Sequence, residues 1–95
     1  MNMSYFLRVR WLSEDPDDPV VLWSHVVDGW EIRKVDEFAD GHLVWADGGH
    51  ESGSTRLGSA PVPSPEEIAD DPQFAVDIID EPDFEFVWRK TRADA

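Results

Sequence analysis

Apolar and polar residues alternate strictly from Tyr5 to Leu12, with Tyr5, Leu7, Val9 and Trp11 on one parity and Arg8 and Arg10 on the other, so a first strand is predicted there. Ser13 to Pro19 follows with two prolines and four acids, a composition that ends a ladder and makes an acidic loop. A second strand is expected over 20–27. Asp28-Gly29 and Asp40-Gly41 are tight-turn dipeptides leading into "WEIRKVDEF" and "HLVWA", so residues 20–46 read as a three-stranded antiparallel meander. Trp30 and Ile32 share a parity that Val35 breaks, which predicts a bulge or face change near Arg33 and Lys34.

Beyond residue 47 the pattern changes. Residues 48–60 hold four of the six glycines and read as a mobile connection. In "PVPSPEEIADD", Ser64 is placed to cap a helix, with Pro65 at its first position and Glu67 closing a capping box, and the helix ends before Pro72. A last helix runs from Asp80 to about Arg92: Asp80, Glu81 and Asp83 sit at its start and Arg89, Lys90 and Arg92 at its end, matching the helix macrodipole. Its apolar stripe, Phe84, Val87, Trp88 and Thr91, is expected to dock on the sheet face of Leu7, Val9 and Trp11, with Phe86 pointing away. The expected fold is α+β: a mostly antiparallel sheet of about four strands (residues 4–47) packed against two C-terminal helices (within 61–92), forming one domain over 1–95.

Composition narrows the function. A chain of 95 residues supports a single core, and five tryptophans with 41% apolar residues argue for a packed globule; Trp11 and Trp88 are assigned to its core. The net charge of -13 opposes binding to nucleic acid or anionic membrane and favours a basic protein partner. Without cysteine there is no disulfide, thiolate metal site or thiol nucleophile, and with no leader or long apolar run the expected compartment is the cytoplasm.

The stretches "LRVRW", "DPV", "WEIRKV", "FADG", "TRLG" and "PVPSPEEI" together resemble a family of small, functionally uncharacterised bacterial domains of about 90 residues. The resemblance implies a cytosolic one-domain protein and supplies no catalytic residues.

Two groups of residues are candidates for a site. Arg8, Arg10, Arg33 and Lys34 form a basic patch on the sheet if their strands are neighbours, able to hold a carboxylate or phosphate, as in an anionic metabolite or nucleotide. The competing expectation is structural: these cations pair with acids of the 13–19 loop or with Asp36 and Glu37. The second group is acidic, with Asp15, Asp17 and Asp18 in the loop and Glu66, Asp70, Asp77 and Glu85 in the interval from Arg56 to Arg89, which contains nine acids and no base. With Phe86 beside it, this surface suits a basic protein, as in an immunity-type or inhibitor protein.

Other chemistry finds little support. An EF-hand counted from Asp15 needs glycine and glutamate where Val20 and Val26 stand, and His25, His42 and His50 have no metal-ligand spacing, so no metal or cofactor is expected. His25 and His42 are assigned to strands near the sheet surface. His50, Ser52 and Asp47 have the residue types of a nucleophilic triad without a strand-turn-helix elbow, and the glycines lack the P-loop ending. No catalytic residue is assigned, and binding is expected rather than catalysis. A strand-based nucleic-acid site using Tyr5, Phe6 or Trp23 ranks last, because the global charge opposes it.

Overall fold

A computed structural model describes residues 4–51, 57 and 61–93. Its elements are β1 (Ser4–Trp11), β2 (Val21–Val27), β3 (Trp30–Glu37), β4 (Leu43–Asp47), β5 (His50–Glu51), α1 (Pro65–Ala69), β6 (Phe74–Ile79) and α2 (Glu81–Ala93). The strands form one antiparallel sheet in the order β5-β4-β3-β2-β1-β6, five substantial strands and the two-residue β5. The architecture is α+β, with β5 and β6 extending the four strands expected from the sequence. Most of the glycine-rich connection expected over 48–60, including Ser52 and Arg56, lies outside the described residues.

Local signals explain most elements. Asp28 and Gly29 both take positive φ, 53° and 86°, the backbone of a two-residue hairpin turn whose twist matches its strands. The ladder between β2 and β3 passes from His25↔Arg33 to Val26↔Glu31, so Ile32 is the extra residue of a bulge, one position before the expected face change. Ser64 caps α1 by accepting from the Glu67 amide at 3.2 Å, with Pro65 in the first turn.

Both faces of the sheet are used. On one face, Leu7, Val9 and Val26 are buried beneath Val62 and Ile68, with Tyr5, Leu22, Phe74 and Val76 around them. On the other, α2 sets Phe84, Val87 and Trp88 against Phe6 and Val35, with Trp23, Leu43, Trp45 and Ile79 completing the cluster. The helix stripe is the expected one, and Thr91 on it is also buried. Its docking face is the opposite of the expected one. The chain around Val62 and α1 already occupies the Leu7 and Val9 face, held by the Val62 amide bonded to the Gly29 carbonyl at 2.7 Å. The second face draws its apolar surface from β2, β3 and β4 as well as Phe6. Trp88 is core, whereas Trp11 is half-buried on the Leu7 side against Phe74, ring centroids 6.1 Å apart. Fully burying a side chain the size of Phe84 or Leu7 contributes about 1.5–3 kcal/mol, so each cluster is a substantial part of the stability.

Candidate functional site

Cross-strand register places the basic candidates. Arg8 stands between Asp77 of β6 and Trp23 of β2; its Nη2 donates to Asp77 Oδ2 at 2.9 Å, and its guanidinium carbon lies 5.9 Å from the Trp23 ring centre. This hydrogen bond, with the Arg8 charge and that of Arg10 behind it, holds the Asp77 carboxyl below its ordinary pKa against an opposing desolvation.

Arg33 is held beneath α2. Its Nη2 donates to Glu85 Oε1 at 2.6 Å and its Nε to His25 Nδ1 at 3.0 Å, while its guanidinium carbon sits 4.8 Å from the Phe84 ring centre and 5.2 Å from that of Trp88. The hydrogen bond from Arg33 lowers the Glu85 pKa. His25 stacks on Phe6 at 4.3 Å, and because its Nδ1 accepts from Arg33 its proton belongs on Nε2, facing Ser4 Oγ at 3.1 Å. Burial first, then the Arg33 charge, depress the His25 pKa against the acids Glu85 and Glu81.

Lys34 points to the opposite face, with its Nζ 3.6 Å from Asp36 Oδ1. The four cations therefore do not converge. Three of them meet acids within the domain, of which only Asp36 was among the expected partners; Asp77 and Glu85 replace the loop acids. Arg10 is exposed on the α2 face and makes no ion pair among the described residues.

The acids are also divided. Asp77 and Glu85 belong to the ion pairs just described, while Glu66 and Asp70 are exposed on and just after α1, across the sheet from α2. Phe86 is exposed as expected, with Lys90 Nζ 4.9 Å from its ring centre.

A different acidic surface emerges from strand order. The 13–19 loop, the turn from Phe38 to His42 and the segment from Asp70 to Gln73 all lie at one end of the sheet. The Leu12 amide bonds to the Gln73 carbonyl at 2.7 Å and the Val20 amide to the Glu37 carbonyl at 2.8 Å, tying the three segments together. They carry Glu14, Asp15, Asp17, Asp18, Asp40, Asp70 and Asp71, and contain no lysine or arginine.

Internal hydrogen bonds shape this acidic pole. The Asp17 amide bonds to Asp15 Oδ1 at 2.9 Å, and Ser13 Oγ donates to Asp18 Oδ2 at 2.6 Å and accepts from the Asp15 amide at 3.2 Å. Across from the loop, the Phe38 and His42 rings stack at 4.3 Å. Asp40 Oδ1 accepts from the His42 amide at 3.0 Å and lies 2.5 Å from His42 Nδ1, bonds that keep the exposed Asp40 carboxyl below its ordinary pKa. His42 thus belongs to the turn before β4, not to the strand. Between loop and turn is a cleft of about 300 Å³ lined by Pro16, Asp17, Phe38, Ala39, Asp40 and His42. Its two carboxylates suit a cation such as a lysine or arginine side chain. Among the described residues, no group of three or more His, Asp or Glu side chains is placed to hold a metal ion.

The family model of the domain of unknown function DUF6881 matches residues 5–93, so the chain belongs to that family. No curated protein and no solved structure matches it.

Proposed function

We propose that this DUF6881 domain is a protein-interaction module that binds a basic partner through its acidic pole, as an immunity-type or inhibitor protein of the cytoplasm would. The observation that carries this reading is the gathering of seven carboxylates from three separate segments at one end of the sheet, in segments without lysine or arginine. Like charges so placed raise the local negative potential, which speeds capture of a basic protein and rejects acidic ones. Asp15, Asp17, Asp18 and Asp70 contribute directly, Glu66 borders the pole, and Asp77 and Glu85 act within the fold.

The test is capture of partners from the native cells by the tagged domain, at low and high salt, beside the Asp15→Asn/Asp17→Asn/Asp18→Asn/Asp40→Asn variant. A basic protein retained at low salt, released at high salt and missed by the variant is the expected result. Capture that is indifferent to both salt and the variant refutes the reading.

A second reading, a site for a small anion or nucleotide, rests on exposed Arg10 beside Arg8. It predicts that phosphate or a nucleotide raises the melting temperature of the wild type and not of Arg10→Ala.

A further inference from the structure

The last strand of the sheet, β6, pairs with β1 without a register break over six positions, from Trp11↔Phe74 to Phe6↔Ile79, and its other edge has no strand partner among the described residues. The Leu12 amide bonded to the Gln73 carbonyl sets the phase of this ladder. In an antiparallel pair the bonding direction alternates, so Ala75, Asp77 and Ile79 turn their backbone groups toward β1, while Val76 and Ile78 turn theirs outward. A bulge, a proline and a lysine, three usual protections of an edge, do not occur between Phe74 and Ile79, and the one charge there, Asp77, is paired with Arg8 of β1. Ile78 is 66% exposed and stands outside both buried clusters.

Charge says what kind of strand fits there. Asp70 and Asp71 precede β6, Asp80, Glu81 and Asp83 follow it, and the whole interval between Arg56 and Arg89 contains no base. We infer that the β6 edge accepts an extended segment of the basic partner as an added strand, with apolar residues alongside Val76 and Ile78 and lysines or arginines at both ends. The inference rests on the basic-partner reading and adds to it where the segment lies and what conformation it takes. Backbone bonds to Val76 and Ile78 supply affinity, and the flanking acids choose the partner's sign.

Two synthetic peptides of equal charge test it, KKVTVTVKK and the same peptide N-methylated at its three valines, the second lacking the amides that bond to the β6 edge when the valines lie alongside Val76 and Ile78. Binding of each to the whole domain is followed by amide NMR shifts and hydrogen exchange. The expected result is that the unmethylated peptide binds about tenfold more tightly than the methylated one, slows exchange at Val76 and Ile78, and loses this advantage on Ile78→Pro. Ile78→Lys keeps the backbone amide and serves as the second variant: its like charge should weaken both peptides while its melting temperature shows that the fold survives. Equal affinity of the two peptides, or shifts confined to residues 13–19 and 38–42, overturns the edge site and leaves the acidic-pole reading standing. Failure of the unmethylated peptide to bind at low salt also overturns the edge site, and the partner-capture experiment then judges the broader reading separately.

Discussion

Replacing Glu85 with glutamine removes the charge that answers Arg33 while keeping the size of the side chain. Arg33 is 20% exposed and Glu85 33%, and the guanidinium is confined against Phe84 and Trp88 by α2, so solvent can replace only part of the lost interaction. A hydrogen bond to a charged group contributes about 1.5–3 kcal/mol, and partial exposure reduces this, so a loss of about 1–2 kcal/mol is expected. For a domain of this size that lowers the melting temperature by roughly 5–15 °C. The assay is urea and thermal unfolding of Glu85→Gln, Arg33→Met and the double variant. Methionine fills the space against the two rings without a charge, so the double variant should lose less than the sum of the singles, with a coupling of about 1 kcal/mol. A Glu85→Gln stability within about 0.5 kcal/mol of wild type, with additive singles, refutes a structural pair and returns Arg33 to the list of ligand-binding candidates.

Acidification should weaken the fold in two stages, because His25 takes its proton more readily when unfolded, where its value is near 6.5, than beside Arg33. Its contribution is full above that value and is lost as pH falls through the depressed folded pKa; the contributions of Glu85, Asp77 and Asp40 follow as pH falls through their own lowered values. Urea midpoints across this range should decline in that order, and a midpoint constant between about pH 7 and about pH 5 contradicts the His25 assignment. Two helix neighbours give a sharper contrast: Phe84 has no exposure and Phe86 is 60% exposed. Phe84→Ala should cost about 3–5 kcal/mol and Phe86→Ala under about 1 kcal/mol, measured by urea unfolding, and equal losses contradict the placement of α2.

What was legible in the chain was local. The alternation of β1, the turn at Asp28-Gly29, the Ser64 cap and the α2 stripe each lie within a few residues, where the backbone's own preferences decide. β6 had a readable signal too, since Phe74, Val76 and Ile78 alternate with Ala75, Asp77 and Ile79 between Pro72 and Asp80, but it lay between two more prominent helix patterns. The docking face of α2 was harder to read. The apolar parity of β1 is conspicuous, whereas the face that α2 covers is assembled from single residues on several strands. The acidic pole was legible only as separate acid runs, because bringing the 13–19 loop to Asp40 and Asp70 requires the strand order. The same ignorance left Asp77 and Glu85 as surface candidates when the arginines already held them.

The placement of β1 between β2 and β6 also has a consequence in time. β1 is synthesised before both of its neighbours, and the second of them is made much later, as the separation of 69 residues between Arg8 and Asp77 measures. Until β6 emerges from the ribosome, β1 is itself an open edge, and α2, which covers Phe6 and Val35, is later still. Completion of the sheet therefore waits on a contact distant along the chain, a circumstance that slows folding and exposes the nascent chain to mispairing.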